Sequence, residues 1–134
     1  MQQTAERPGR GRLVLVVEDN DRSRRLTCDL LSIYGFEVVE ADTGEAVLEL
    51  ARRCRPVLAL LDIQLPGIDG TEVLALLRAD ADLCRIPAVA VTAFAMHGDE
   101  ERLLGLEFDA YISKPIDTRA FIPRLLSLLE PDGC

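Results

Sequence analysis

The sequence predicts an α/β protein with a doubly wound, five-stranded parallel sheet in the order 2-1-3-4-5 and helices on both faces. Apolar runs alternate with helical patterns five times, as in a parallel sheet with crossover helices. Two runs, 13–17 and 57–61, are apolar without alternation, which is typical of strands buried on both faces. The chain of 134 residues is too short for an eight-unit barrel, and no strand is followed by G-x-G-x-x-G. The flavodoxin-like order therefore fits best.

The first strand, residues 13–17, leads into a helix. Asn20 or Asp21 can cap a helix that reaches Tyr34, and Gly35 suits its left-handed stop. The predicted apolar face of this helix consists of Leu26, Leu30 and Ile33 or Tyr34.

The second and third units follow the same pattern. A strand over 36–41 precedes a helix over 43–53, whose apolar stripe is Ala46, Val47, Leu50 and Ala51. The third strand, 57–62, runs straight into Asp62. Pro66, Gly67 and Gly70 supply the loop after it, and a short helix over 71–78 comes next.

The last two units are shorter. The fourth strand is 88–92, and a helix over 98–104 begins with an acidic first turn, the favourable sign for the helix dipole. The fifth strand is 110–113, and the last helix covers 117–129. Pro123 removes a backbone donor within that helix, so we expect a kink or a late start.

Composition limits the domain organisation and the partners. We expect one domain, 13–130, between a disordered basic tail (1–12) and a short C-terminal tail (131–134). The chain has 15 basic and 23 acidic side chains, a net charge of −8, which argues against nucleic-acid binding. No apolar run approaches the roughly 20 residues of a membrane span, and the first segment has no apolar signal core, so we expect no membrane partner.

The cysteines and the histidine predict no metal site of their own. Cys28, Cys54, Cys84 and Cys134 are widely spaced, form no C-x-x-C pair, and are expected to be idle thiols in a reducing cytoplasm. Cys134 could crosslink two chains under oxidation. His97 is the only histidine, which excludes a multi-histidine metal site.

Chemically active side chains follow four of the five strands. Glu18 and Asp19 follow the first strand, Asp62 ends the third, Thr92 ends the fourth, and Lys114 follows the fifth. The carboxyl ends of these strands meet at one rim, where open α/β sheets bind ligands. Three crowded carboxylates repel one another unless a cation lies among them. Their oxygen donors suit Mg²⁺ rather than zinc.

This set of side chains is what phosphoryl transfer to a carboxylate requires. Asp62 would be the nucleophile and Mg²⁺ would neutralise two phosphoryl oxygens, while Thr92 and Lys114 would hold the others. Each residue alone is weak evidence, since Lys114 can be a surface lysine and Thr92 an ordinary strand end. Their joint occurrence at four strand ends predicts a phosphoryl-acceptor site.

These residues resemble the response-regulator receiver domain, a CheY-like family, from residue 13 to about residue 129. The matching motifs are Val17-Glu18-Asp19-Asn20, the stretch from Leu61 to Gly70, Val91-Thr92-Ala93 and Ser113-Lys114-Pro115. The runs 86–96 and 98–102 look most like DivK-type single-domain response regulators.

The resemblance implies a role for each site residue. Asp62 takes a phosphoryl group from a phosphohistidine of a sensor histidine kinase or a histidine phosphotransferase. Mg²⁺ is held by Asp19, Asp62 and the backbone carbonyl of Gln64, with Glu18 acting through water.

The resemblance also implies a switch and an output face. Thr92 moves toward the phosphoryl group and Tyr111 turns inward, which changes the face made by the fourth helix, the fifth strand and the last helix. Lys114-Pro115 resembles the family's cis peptide, which aims the ammonium inward.

Two side chains beside Asp62 are predicted to set the lifetime of the phosphoryl group. Gln64 lies two residues after the nucleophile and can orient a water but cannot deprotonate it. Phe94 lies two residues after Thr92 and either covers the site, which excludes water, or packs inward beneath the fourth helix.

Departures from the family pattern fall on the output face. Glu107 stands where the family usually has Gly, with Gly105 two positions earlier, and Pro123 lies within the last helix. Nothing after Leu129 is long enough for an effector domain, so we expect the output to be a protein contact. We expect a downstream protein or a second copy of the chain to bind the output face.

Three functions compete. The leading hypothesis is a phospho-acceptor switch that assists its own phosphorylation and slow dephosphorylation but is not otherwise an enzyme. The first alternative is a phosphorylation-independent adaptor, against which the complete acidic, Thr92 and Lys114 set argues. The second is a hydrolase with Asp62 as nucleophile. Such phosphatases need an acid two residues on, where this chain has Gln64.

Overall fold

The computed structural model describes residues 11–63, 67–68, 70–92, 108–113 and 116–129. Within these ranges, five parallel strands form one sheet in the order β2-β1-β3-β4-β5, so the predicted topology is confirmed. The strands are β1 (Leu13–Val17), β2 (Glu37–Ala41), β3 (Leu58–Asp62), β4 (Ala88–Thr92) and β5 (Ala110–Ser113).

The described helices are α1 (Asp21–Ile33), α2 (Val47–Cys54), α3 (Gly70–Ala79) and a C-terminal helix (Thr118–Leu129). A 3₁₀ turn, Gly44–Ala46, precedes α2 where the sequence predicted α-helix. The predicted helix over 98–104 lies outside the described residues, as do residues 1–10 and 130–134. No helix in the described ranges combines the length and apolarity needed to span a bilayer.

The sheet has an apolar core on each face because alternate strand residues point to opposite sides. Leu58 and Leu60 of β3 pack on the side covered by α1 and the C-terminal helix. Ala59 and Leu61 pack on the side covered by α2 and α3. This double burial is why the β3 sequence is an unbroken apolar run, and all five of its residues are buried.

The buried face of α1 differs from the predicted one. Leu26 and Ile33 are 50% and 67% exposed, whereas Thr27, Cys28 and Leu31 are buried against the sheet. Both sets have helical spacing, so periodicity alone does not decide between them. The predicted apolar face was therefore wrong for Leu26 and Ile33, whereas Leu30 is partly buried and packs against the core as predicted.

The helix ends largely follow the predicted signals. Asn20 caps α1, and its Oδ1 accepts the N–H of Ser23 at 2.9 Å. Gly35 has φ +94°, the left-handed conformation expected after this helix. The C-terminal helix begins at Thr118 and contains Pro123, so the alternative of a late start is wrong.

Candidate metal centre

Three carboxylates meet at the carboxyl end of the sheet. One carboxylate oxygen from each of Glu18, Asp19 and Asp62 lies within 4.8 Å of the other two. Val17 pairs with Leu61, so the residues after β1 lie level with the last residue of β3. Glu18 and Asp62 are each only 5% exposed, and Asp19 is exposed to solvent. The structure thus brings together the three acidic residues that the sequence predicted at one rim.

Glu18 is held through its main chain and its side chain. Its N–H donates to the carbonyl oxygen of Ala41 at 3.0 Å, and its Oε2 accepts the N–H of Asn20 at 3.2 Å. Its carbonyl oxygen accepts a hydrogen bond of 2.8 Å from a terminal nitrogen of Arg24. These contacts fix the β1–α1 loop that carries two of the three carboxylates.

Sequence reasoning missed Arg24. This residue precedes Cys28 by four positions and Leu31 by seven, so it shares the helical stripe that is buried against the sheet. A cation on the buried stripe, directly after an acidic loop, was the signal that could have identified it.

The backbone around Asp62 is fixed by β4 and α3. The N–H of Ile63 donates to the carbonyl oxygen of Val91, and the N–H of Gly70 donates to the carbonyl oxygen of Ile63, both at 3.1 Å. The Cα of Gly70 approaches so closely that a Cβ there would lie 2.5 Å from the carbonyl oxygen of Asp62. Glycine is therefore required where α3 begins.

The other predicted site residues are only partly within the described ranges. Thr92 ends β4 and is 2% exposed, one residue beyond Val91, the β4 partner of Asp62. Tyr111 of β5 is buried in the core on the side of α2 and α3. The remaining predicted residues, Gln64, Phe94, Lys114 and Pro115, lie outside the described residues, as does Glu107.

The acidic cluster fits a hard divalent cation. Two unit charges 4 Å apart repel by about 4 kcal/mol at an effective dielectric constant of about 20, so three close carboxylates favour a bound cation. All three donors are oxygens, and the exposed Asp19 leaves one side open to water. Few protein oxygens with water completing the shell are the donor set that suits Mg²⁺.

A family model for the response regulator receiver domain matches residues 14–126. The chain belongs to this family. Among the curated relatives of this receiver domain is the polar-differentiation response regulator DivK of Brucella anthropi. The two are 47% identical over 116 residues, which cover 87% of this chain and 94% of the relative. The predicted resemblance to receiver domains of the DivK type is confirmed.

Solved receiver domains share the fold. The BeF3-activated N-terminal receiver domain of RstA from Klebsiella pneumoniae has a TM-score of 0.82 at 28% identity, covering 88% of this chain and 98% of that one. The receiver domain of a sensor histidine kinase from Pseudomonas aeruginosa has a TM-score of 0.80 at 31% identity, covering 89% and 97%. That structure has a magnesium ion coordinated in the active site cleft.

Proposed function

We propose that this receiver domain is a phospho-acceptor switch that takes a phosphoryl group from phosphohistidine onto Asp62. The observation that carries the proposal is the convergence of Glu18, Asp19 and Asp62, whose carboxylate oxygens lie within 4.8 Å of one another. The magnesium ion in the cleft of the Pseudomonas aeruginosa receiver domain supports Mg²⁺ as the cation.

The chemistry follows from the side chains at the rim. An Asp62 carboxylate oxygen forms a bond to phosphorus while the bond from phosphorus to the donor's imidazole nitrogen breaks, and the leaving imidazole takes up a proton. Mg²⁺, when bound by the acidic cluster and the Gln64 carbonyl, supplies neutralisation of phosphoryl oxygens. The Thr92 hydroxyl and the Lys114 ammonium bind the remaining oxygens. Burial of Asp62 excludes most water from the product.

The proposed output is a change of surface. Thr92 and Tyr111 lie on neighbouring strands, since Thr92 pairs with Ser113 and Tyr111 with Ala90. A shift of the Thr92 hydroxyl toward a phosphoryl group frees space that Tyr111 can occupy. The reoriented face, which includes β5 and the C-terminal helix, then binds a downstream protein or a second copy.

The proposal extends to the phosphoryl donor and to the cellular location. Response regulators act with histidine kinases, so the donor is a sensor histidine kinase or a histidine phosphotransferase. Cys28, Cys54 and Cys84 are free thiols. Free thiols fit a reducing compartment, which supports the cytoplasm as the location.

Incubation with acetyl phosphate, followed by intact-protein mass spectrometry, tests the proposal. We expect one phosphoryl group per chain with Mg²⁺ and none when the metal is chelated. Asp62→Asn should abolish labelling, while the control Asp82→Asn, at an exposed loop position, should label as the wild type does. Absence of labelling with folded protein and Mg²⁺ would indicate the adaptor, and sustained release of phosphate at many turnovers would indicate the hydrolase.

A further inference from the structure

The Arg24 side chain joins three parts of the molecule near the acidic cluster. One terminal nitrogen donates to the carbonyl oxygen of Glu18 at 2.8 Å, and the other donates to Oδ1 of Asp21 at 2.6 Å. Its Nε donates to Oε1 of Glu40 at 3.0 Å. The guanidinium therefore links the β1–α1 loop to the first turn of α1 and to strand β2.

The surroundings of Arg24 differ from those of an ordinary surface arginine. Its side chain is only 18% exposed, while those of Asp21 and Glu40 are 91% and 53% exposed. The contacts to both carboxylates are exposed, whereas the main-chain contact to Glu18 is part-buried. A planar fork with donors in fixed directions can serve three acceptors at once, which an ammonium group cannot do in the same geometry.

We propose that Arg24 is a positioning residue for the divalent cation, setting the β1–α1 loop so that Glu18 and Asp19 face Asp62. The inference rests on the proposed function in one respect, that the acidic cluster binds Mg²⁺. Arg24 is not among the residues proposed to bind the cation or the phosphoryl group. It acts through its hydrogen bond to the Glu18 carbonyl oxygen. Without that hydrogen bond, the β1–α1 loop would relax away from Asp62.

Whether replacing Arg24 raises or lowers the affinity for the cation separates a positioning role from a purely electrostatic one. Removing a positive charge near an anionic site strengthens cation binding if only long-range charge matters. Loss of positioning weakens it, and contacts that orient metal-binding residues typically change affinity by roughly 10–100-fold. Arg25 is the matched control because it lies next in α1 and is exposed, so Arg25→Met removes the same charge.

The test is a titration with Mn²⁺, followed by the electron paramagnetic resonance signal of the free ion. We expect Arg24→Met to weaken Mn²⁺ binding about tenfold. Arg24→Lys, which keeps the charge but has a single donor nitrogen, should recover part of that loss. Arg25→Met should bind as tightly as the wild type or more tightly. Circular dichroism and urea unfolding without metal check that each variant is folded. If Arg24→Met does not fold, the affinity of Arg24→Lys tests the inference instead.

Labelling by acetyl phosphate gives a second readout. The Mg²⁺ concentration for half-maximal labelling should rise by the same factor in Arg24→Met, with the maximal rate retained. Unchanged Mn²⁺ affinity in folded Arg24→Met and Arg24→Lys, or an equal loss in Arg25→Met, would overturn the inference. If the wild type binds Mn²⁺ in an Arg24-dependent manner but takes up no phosphoryl group, the proposed function fails while this inference stands.

Discussion

Gly70, the first residue of α3, packs directly against the main chain of Asp62. A Cβ at Gly70 would lie 2.5 Å from the carbonyl oxygen of Asp62 and 2.9 Å from the Cα of Ile63. Real side chains do not approach backbone atoms this closely, so any other residue must displace the strand end or the helix. The start of α3 therefore holds the backbone of the proposed phosphoryl acceptor in place.

Gly70→Ala should impair phosphorylation as well as stability. The clash with main-chain atoms is expected to cost about 1–3 kcal/mol of the free energy of unfolding, measured by urea titration. Because the acceptor is displaced, the rate of labelling by acetyl phosphate should fall about tenfold or more. Ala75→Gly is the control, since it lowers stability by about 1 kcal/mol at an exposed position of the same helix. Equal labelling rates in the two variants would show that the Gly70 contact does not position Asp62.

A pH-dependent ion pair joins α2 to the end of α3. The Nε and a terminal nitrogen of Arg52 donate to Oδ2 of Asp80 at 2.9 and 2.7 Å, and Asp80 Oδ1 accepts the N–H of Asp82. These contacts, the Arg52 pair foremost, lower the pKa of Asp80 below its ordinary value of 3.8. A lowered pKa in the folded state stabilises the protein above the unfolded value, and that contribution disappears as pH falls through the folded value.

Arg52→Met should therefore destabilise the protein at pH 7, and its deficit relative to the wild type should shrink as the pH falls below 3.8. Urea unfolding at a series of pH values measures that deficit. Arg53→Met is the control, because the ion pair between Arg53 and Glu49 is exposed and contributes little to the free energy of unfolding. A deficit for Arg52→Met that is the same at pH 7 and pH 3 would contradict the assignment.

Cys28 should be the least reactive of the described thiols. It is buried against the sheet, and desolvation with the nearby Glu40 raises its pKa to about 11. At pH 8 almost none of it is thiolate, the form that reacts. Alkylation with iodoacetamide, followed by peptide mass spectrometry, should modify Cys54 and Cys84 first. Modification of Cys28 at the same rate in native protein would show that α1 does not protect it.

Pro123 is expected to lower the free energy of unfolding. It lies inside the C-terminal helix with its ring exposed, between the buried Ile122 and Leu125. Proline in a helix interior removes one backbone hydrogen bond and is about 3 kcal/mol less favourable than alanine. Pro123→Ala is expected to raise the free energy of unfolding by up to about that amount. An unchanged or lowered value would mean that the helix has adapted fully to the proline.

The sequence predicted the sheet and the acidic rim because each depends on local pattern. The unbroken β3 run is possible only where both faces are covered, and its last residue then has to lie at the ligand-binding edge. The buried face of α1 was not predictable in this way, since Leu26 and Leu31 both belong to apolar sets with helical spacing. The role of Arg24 depends on contacts with Glu18 and Glu40 that only the packed α1 and β2 create.

Borohydride reduction shows which residue carries the phosphoryl group, for which we propose Asp62. Borohydride converts an aspartyl phosphate to homoserine, which peptide mass spectrometry locates in the chain. After labelling with acetyl phosphate and Mg²⁺, we expect homoserine at position 62 and none in the sample from which Mg²⁺ was chelated. Homoserine at position 19 or 69 in place of 62, or at position 62 without Mg²⁺, would contradict the assignment of Asp62 as the acceptor.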